Sequence, residues 1–220
     1  LKSSVGLRMQ DAVYPFYPTF VTPMAAVAGA VSDYMLSILC ENNRLRKAYV
    51  NNGGDIAIYL EDNEVFNIGI VTDLKTRAIG ATTAITQIDN INGIATSGRH
   101  GRSHSLGIAD AVTVLAKNSA QADAAATLIA NAVDVQDTTL VKKIPANELY
   151  PDSDLADQLV TVDVAKLPQK LAERAVAQGC DRAVDYIDRG LIKAATISLQ
   201  GIVEVVGSRH LLTQNCNAKT

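Results

Sequence analysis

The chain has 220 residues, a formal net charge of −3 and a sequence pI of about 5.6. Its hydrophobic fraction of 48% is typical of a folded globular protein, so the composition excludes intrinsic disorder and predicts a packed core. Binding to a nucleic-acid backbone requires a basic surface, and the longest basic cluster here is Arg44, Arg46 and Lys47. We therefore expect no nucleic-acid partner.

The apolar stretches and the cysteines indicate a compartment. The longest apolar stretch, residues 21–31, is followed by Asp33 and is shorter than the roughly 18 residues that a membrane span needs. We therefore expect a buried helix there and no membrane partner. The three cysteines, Cys40, Cys180 and Cys216, lack the spacing of a disulfide framework or a zinc cluster. A reducing cytoplasm fits this pattern best.

The first predicted element is a helix over residues 22–40. Thr22 can cap free amides, and Pro23 suits the first helical position. Apolar residues recur at spacings of three and four, while residues 25–30 are only Ala, Val and Gly. Something must therefore approach this half of the helix closely, either a packed neighbouring element or a ligand that lies on exposed backbone.

Short strands and two further long helices follow. The predicted strands are residues 48–51, 56–60, 65–71, 93–96, 111–116, 159–164 and 191–206. The predicted helices are residues 119–133, with Ser119 as candidate cap, and residues 167–189. Residues 144–157 contain prolines and acidic residues, which is typical of a linker or an ordered loop. The alternation predicts an α+β fold in which antiparallel strands pack with long helices.

Paired glycines stand between the first two predicted strands, in the segment Asn51, Asn52, Gly53, Gly54 and Asp55. Glycines adopt positive φ and allow close approach to the backbone, so successive amides in this segment can point at an anion. Asn-Gly is also a common tight-turn dipeptide, so a plain hairpin turn accounts for the same residues. Both interpretations are open at this point.

A polar, cationic segment ends another predicted strand. It contains Thr96, Ser97, Gly98, Arg99 and Arg102. Hydroxyls, free amides and guanidinium groups can together hold a phosphate, since arginine matches phosphate bidentately. The segment is therefore a second candidate for binding an anionic ligand.

Two histidines, His100 and His104, lie four residues apart in the same loop. That spacing would let them share a metal only if the loop were helical. The glycines nearby argue against a helix, so we expect a pair of solvated side chains.

The helix predicted from Ser119 places Asp123 and Thr127 four residues apart on one face. A carboxylate and a hydroxyl can share a hard cation such as Mg²⁺, which keeps water and substrate phosphate in its shell. Such a sparse pair is sufficient when a nucleotide supplies the other ligands. An exposed Asp beside a Thr bonded back to its helix accounts for the same spacing.

These segments occur in the order found in the ApbE-like family. The chain reads NNGGDI from Asn51, ATSG up to Gly98, AVTVLA over residues 111–116 and ADAAAT up to Thr127. The sequence resembles FAD:protein FMN transferases over about half of its length, residues 22–133. An early lysine and a histidine-bearing motif of that family have no counterpart here. The chain is therefore more similar to a shortened, poorly characterised branch of the superfamily.

The resemblance implies one α+β, ApbE-like (T-fold-like) domain over residues 1–220. It also implies an FAD, FMN or related nucleotide near the glycine loop, and Mg²⁺ held by Asp123, Thr127 and the backbone carbonyl of Ala126. Because the chain starts with Leu rather than Met, an N-terminal part can be missing from this domain.

The activity of the family would be transfer of FMN to an acceptor protein, with His104 as the nearby histidine that could act as base. Because the reaction groups of the family are missing, we expect flavin or nucleotide binding without covalent transfer. Two other functions are open: a sulfur-assimilation protein that carries a persulfide on Cys40 or Cys216, and a non-catalytic flavin carrier. The sequence carries no signal for an oligomeric state.

Overall fold

The computed structural model of the chain describes residues 2–41, 43–73, 78–101, 103–207 and 213–214. Its helices are α1 (Ser4–Val13), α2 (Val27–Glu41), α3 (Ser119–Ala132), α4 (Ala146–Leu149) and α5 (Gln169–Asp188). Its strands are β1 (Lys47–Asn52), β2 (Asp55–Leu60), β3 (Phe66–Asp73), β4 (Ala78–Ile85), β5 (Gly93–Ser97), β6 (Ala111–Ala116), β7 (Val141–Pro145), β8 (Leu159–Val164), β9 (Ala194–Leu199), β10 (Ile202–Gly207) and β11 (Thr213–Gln214).

A six-stranded sheet in the order β1-β2-β5-β6-β9-β10 forms the centre of the fold, and each neighbouring pair in it is antiparallel. All residues of β6 and β9 are buried, which explains why these strands are nearly continuous apolar runs. A smaller sheet, β11-β4-β3, and the pair β7-β8 complete the strand pairing. The predicted α+β fold of antiparallel strands and long helices is therefore confirmed.

The two faces of the central sheet are covered by different layers. In β6 the alternate residues Val112 and Val114 pack in a cluster with α3 and α5. Leu115 points to the other face and joins a second cluster with residues of β2, β3 and β4. The members of that second cluster are Ile58, Leu60, Ile70, Ile85, Ile91, Ile94, Leu115 and Ala194. The sheet is thus buried on both sides, with helices on one face and a hairpin on the other.

Most predicted elements are observed close to their expected bounds, and β6 and β8 match them fully. The segment predicted as one strand over residues 191–206 is two strands, β9 and β10. Gln200 and Gly201 separate these strands in a turn with φ of 47° and 89°. Positive φ in both residues produces the tight hairpin turn that the apolar flanks conceal in the sequence.

Some ordered elements were not predicted. Helix α1 begins after Ser3, whose side chain accepts a hydrogen bond from Gly6 N, and strand β4 completes the hairpin with β3. Residues 144–157 include the end of β7 and all of α4, so the ordered alternative for this segment is the one observed. The proline and acidic residues of this segment belong to a folded region and not to a linker.

The helical segment begins at Pro23 as predicted, with a 3₁₀ turn, Pro23–Ala26, that leads into α2. The side-chain caps are corrected. The hydroxyl of Thr22 makes no capping bond and donates to Asp154 instead. Asn118 is the cap of α3, because its extended backbone lets its side chain accept from Gln121 N at 2.8 Å. Ser119 is the first helical residue.

The segment Pro23–Glu41 is, among the residues described, the one helix long and apolar enough to cross a membrane, with a mean hydropathy of 1.4. Length and composition are the sole basis of this finding. It is weak support for a membrane span, because core helices of globular proteins meet the same criteria. Here the helix contacts α1, α3, β1 and β2.

The small residues of α2 allow that helix to approach the beginning of α3. A Cβ atom added to Gly29 would lie 2.3 Å from the carbonyl oxygen of Ser119. No side chain fits in that space, so close packing explains why the residue here is glycine. Of the two explanations that the sequence left open, packing against a neighbouring element holds for Gly29.

We predict that Gly29→Ala lowers the free energy of unfolding by roughly 1–3 kcal/mol, because the methyl group forces α2 and α3 apart. Gly190→Ala is a suitable comparison. Gly190 has φ of +69° with nothing near a Cβ atom, so the expected loss is about 1 kcal/mol from backbone strain. Urea unfolding measures both values. A Gly29→Ala protein as stable as the wild type would contradict the close approach.

Candidate functional site

A cleft of about 270 Å³ lies where α2, α3 and the loops at residues 103–106 and 153–155 meet. Its partly buried polar lining includes Asp55, Asp123, Thr127 and Asn131. Exposed apolar side chains line it as well, among them Phe20 and Met24, whose exposed fractions are 52% and 50%. The cleft therefore offers both oxygen and amide groups and exposed apolar surface.

Helix α3 supplies the polar lining from a single face. Asp123, Thr127 and Asn131 are spaced by four residues, so they lie one above the other on the helix. The other residues around them are buried alanines, leucine and isoleucine. The sequence analysis identified Asp123 and Thr127 but missed Asn131. The same four-residue spacing, continued by one more helical turn, would have identified Asn131.

Asp123 lies in an environment that disfavours its negative charge. Burial, together with the nearby negative charge of Asp55, raises the pKa of Asp123 from 3.8 to about 8. The backbone amide of Gly29 donates to its Oδ2 at 3.0 Å and acts in the opposite direction, as does the amide of Ala28. The carboxyl groups of Asp55 and Asp123 thus lie close together in one partly buried place.

The donor set of the cleft fits a hard divalent cation. Carboxylate and hydroxyl oxygens of Asp55, Asp123 and Thr127 are the ligands that Mg²⁺ prefers, and a cation would relieve the repulsion between the carboxylates. No cluster of three or more His, Cys, Asp or Glu residues suited to a metal occurs in the described parts of the chain. A cation here would therefore take some of its ligands from water or from a bound molecule.

Ala126 is placed differently from its helical neighbours. It is fully buried and does not line the cleft. Inside an α-helix a carbonyl oxygen accepts a hydrogen bond from the amide of the residue four positions later, and the carbonyl of Ala126 can make this ordinary helical bond. Its role as a metal ligand stays a prediction.

The glycine segment forms the tight hairpin turn between β1 and β2. Gly53 and Gly54 have φ of 72° and 114°, and the amide of Gly54 donates to Asn51 Oδ1 at 2.9 Å. Asn52 Nδ2 lies 3.4 Å from the carbonyl oxygen of Ala28 and joins the turn to α2. In this segment Asp55 alone lines the cleft, so ligand contacts by the other four residues stay a prediction.

The strand alternation of β5 separates two residues that the sequence analysis grouped. Thr96 Oγ1 lies 2.8 Å from Thr113 Oγ1 of the neighbouring strand, while Ser97 Oγ lies 3.5 Å from Thr127 Oγ1. Successive side chains of a strand point to opposite faces, so Ser97 is on the face of the cleft and Thr96 is not. A Cβ atom on Gly98 would lie 2.5 Å from the carbonyl oxygen of Asp110, which explains that glycine by packing.

The guanidinium group of Arg99 is engaged within the protein. Its Nη2 and Nε lie 2.7 and 2.9 Å from Asp110 Oδ1, and its side chain is 17% exposed. Arg99 does not line the cleft, so its predicted phosphate contact has no support from its position. Arg102 lies outside the described residues.

The two histidines occupy different places. His100 Nε2 lies 3.2 Å from Asp110 Oδ1, whereas His104 lines the cleft with its ring 5.1 Å from that of Tyr150. His100 is exposed and His104 is partly buried, so the expected solvated side chain is observed for His100 and not for His104. His104 is thus the member of the pair that is positioned to meet a ligand.

The loop that carries His104 is anchored through Leu106. Asn131 Oδ1 accepts from Leu106 N at 2.9 Å, and Lys143 Nζ donates to Leu106 O and to Asp134 Oδ2 at 2.6 Å each. These bonds fix the loop against α3 and β7. The hydrogen bond from Thr22 Oγ1 to Asp154 joins two other segments that line the cleft.

A protein-family model described as AbpE bacteria matches residues 1–205. The chain belongs to this ApbE-like family. It is 41% identical over 113 residues to a UPF0280 protein of Methanocaldococcus jannaschii, which covers 51% of this chain and 45% of that protein. It is 38% identical over 130 residues to a UPF0280 protein of Methanopyrus kandleri, which covers 58% and 48%. The chain therefore spans about half the length of the relatives it matches.

We predict that Asp123→Asn raises the stability of the protein without added metal. Between pH 4 and 8 the unfolded chain binds fewer protons at Asp123 than the folded chain, so this residue lowers the free energy of unfolding as pH rises. The advantage of the variant should grow across this window by up to about 1.4 kcal/mol per pH unit.

Urea unfolding in EDTA at several pH values measures this difference. Asp62→Asn is the matched control, because it removes the same charge from the exposed turn between β2 and β3. An Asp123→Asn protein that is less stable than the wild type at pH 8 would refute the assigned environment of Asp123.

Proposed function

We propose that this chain binds a flavin or another phosphate-bearing nucleotide together with a divalent cation in the cleft. The observation that carries this proposal is that Asp55, Asp123 and Thr127 line a cleft that also exposes apolar side chains. A ligand that complements both kinds of lining has an anionic part and a flat apolar part. Nucleotides, flavin nucleotides among them, have this composition.

The carboxylates of Asp55 and Asp123 and the hydroxyl of Thr127 would hold Mg²⁺. A bound Mg²⁺ would neutralise the charge of a pyrophosphate, which the two carboxylates would otherwise repel. Asn131 and Leu106 lie beside this group, and the hydrogen bond between them keeps the wall of the cleft in position.

The apolar and aromatic side chains of the cleft are suited to a planar ring. Phe20 and Met24 are about half exposed at the rim, and His104 lies against Tyr150 at the edge of the cleft. Aromatic rings gain stabilisation from stacked or edge-to-face contacts beyond the area that they bury. A flavin or a nucleobase would cover this surface.

The family resemblance also implies covalent transfer of FMN to an acceptor protein. We propose that this chain does not perform that transfer. His104 is, in the described part of the chain, the histidine that lines the cleft. Its ring is packed against Tyr150, and within the part of the chain that the structure describes no hydrogen bond joins it to a carboxylate that would orient it as a base. The cleft therefore contains more side chains suited to binding a ligand than side chains suited to catalysing the transfer.

The sulfur-carrier alternative has less chemical support. The thiolate is the reactive form of cysteine, and burial raises the pKa of Cys40 and raises that of Cys180 to about 11. Neither residue lines the cleft. Cys216 lies outside the described residues, so that part of the alternative stays a prediction.

We predict that FMN or FAD binds to the wild-type protein and that Mg²⁺ strengthens this binding. In Asp123→Asn the strengthening by Mg²⁺ should fall by at least about tenfold, because the variant loses a charged oxygen ligand. Thr127→Val, which keeps the shape but removes the hydroxyl, should reduce it in the same direction. Calorimetric titration with Mg²⁺ and with EDTA measures each affinity.

Asp62→Asn is again the control, since it removes a carboxylate outside the cleft. Its affinities should equal those of the wild type under both conditions. Wild-type protein that binds no flavin nucleotide would overturn the proposed ligand class. Equal strengthening by Mg²⁺ in wild type and Asp123→Asn would remove Asp123 from the cation site.

We further predict that incubation with FAD, Mg²⁺ and a threonine-bearing acceptor protein produces no covalent flavin. Positioned acid–base groups contribute about 10²–10⁴-fold to a reaction rate, so their loss suppresses turnover while binding persists. Flavin fluorescence of the acceptor band on a denaturing gel is the measurement. A fluorescent band that His104→Ala abolishes would show that the chain is a transferase with His104 as its base.

A further inference from the structure

Strand β1 is an open edge of the central sheet. Its strand order leaves one side of β1 without a neighbouring strand among the residues described. The carbonyl oxygen of Arg46 accepts from Glu61 N at 2.8 Å, so the even-numbered residues of this strand bond towards β2. By the same alternation, the backbone N–H and C=O groups of Lys47, Tyr49 and Asn51 point away from the sheet.

The middle of this edge is accessible to another strand. Natural proteins often protect an open edge with charged side chains. Here the charge lies at one end of the strand, where Lys47 Nζ is 3.6 Å from Glu64 Oε2. The central residue is Tyr49, which is 61% exposed and whose ring contacts that of Phe66 at a centroid distance of 6.0 Å. Uncharged aromatic surface therefore stands beside the outward backbone groups.

Helix α2 lies beside the same edge, in contact with β1 and β2, and exposes an apolar stripe. Val31, Met35 and Leu39 recur every four residues and so share one face of the helix. Met35 and Leu39 are 49% and 41% exposed, and Val31 is partly buried. Only 28% of the apolar segment Pro23–Glu41 is buried. Contiguous apolar surface of this kind is typical of an interaction site.

The internal contacts of α2 place the stripe on the side of β1. Gly29 faces the start of α3, and Ser32 Oγ donates to the carbonyl oxygen of Asp55 in β2 at 2.8 Å. Each step of three residues turns the direction of the side chain by about 60° in the same sense. The order around the helix is therefore Gly29 towards α3, Ser32 towards β2 and Met35 beyond β2, where the edge strand lies.

We propose that the chain forms a two-fold symmetric dimer through this edge. Strand β1 pairs antiparallel with β1 of a second copy, and the two α2 helices pack side by side on one face of the joined sheet. A free extended peptide would pair with β1 and leave the stripe of α2 exposed. A second copy carries an edge strand and an apolar helix in the same relative position, so it covers both, as a self-complementary interface requires.

Charge and hydrogen bonding select the register of the two strands. With Tyr49 opposite Tyr49 of the second copy, Lys47 lies opposite Asn51, and the outward backbone groups of all three residues meet. This register pairs two aromatic rings and avoids like charges. A register with Lys47 opposite Lys47 would place two cations together, which is destabilising.

The dimer is independent of the nucleotide proposed for the cleft. Val31, Met35, Leu39 and Tyr49 do not line that cleft. Ligand binding and assembly can therefore be tested separately.

Sedimentation velocity of the full chain at about 1–100 μM measures the assembly. We expect the wild type to be a dimer with twice the mass of the 23.4 kDa chain. Met35→Lys, which puts a charge in the stripe, should raise the dissociation constant at least about tenfold. Val184→Lys is the matched control, because Val184 is 45% exposed on α5 and lies outside the stripe. It should leave the dissociation constant unchanged.

Tyr49→Pro tests the strand pairing. Proline lacks the outward N–H and is tolerated in an edge strand whose N–H faces solvent, so the bonds from β1 to β2 remain. We expect Tyr49→Pro to raise the dissociation constant at least about tenfold, and Tyr49→Thr, which keeps the N–H group, to raise it less. Far-UV circular dichroism verifies that each variant is folded.

A wild-type chain that stays monomeric over this concentration range would overturn the proposal. A dimer that survives Met35→Lys and Tyr49→Pro would overturn it as well, because another surface would then hold the two copies together. A dimer that Met35→Lys disrupts and Tyr49→Pro does not would exclude the strand pairing.

Discussion

The close approach of α2 to the beginning of α3 determines most of the site. Gly29 allows the two helices to approach at backbone distance, and its own amide then reaches Asp123 at 3.0 Å. The same contact brings Asp33 to the amides of Ser119 and Ala120. One junction without side-chain bulk therefore places Asp123 of α3 in the cleft and Asp33 of α2 at the start of α3.

The placement of Asp123 beside Asp55 lowers the stability of the metal-free protein and would favour the binding of a cation. Folding places Asp123 near Asp55 with little water, and the raised pKa of Asp123 shows that the folded state opposes the charge. The proton therefore stays on Asp123 up to about pH 8, and a bound cation would favour the ionised form and lower this pKa. Such a buried carboxyl group does not stabilise the fold in its charged form, which agrees with the cation site that we propose.

Local patterns in the sequence predicted most of the fold. The apolar runs of β6 and β9 and the amphipathic α5 are strong local signals, because each is determined by its own burial pattern. Two residues of the candidate site, Asp123 and Thr127, were identified from their four-residue spacing. Contacts between residues that are distant in the sequence could not be predicted from local patterns. Arg99 binds Asp110, and Asp154 comes from a segment without a motif to accept a hydrogen bond from Thr22. Those contacts depend on how strands and loops come together.

The loop between β5 and β6 is held at both ends. Asp110 receives Arg99, His100 and the amide of Gln200, while Asn131 and Lys143 hold Leu106. Ser105 belongs to this anchoring as well, because its Oγ lies 3.4 Å from Asn131 Oδ1 and its carbonyl oxygen accepts from Thr161 N at 2.8 Å. His104 lies between these anchors and lines the cleft without a bond in either of them. A change of side chain at this one position would therefore alter the surface that meets a ligand while the bonds that hold the loop stay in place.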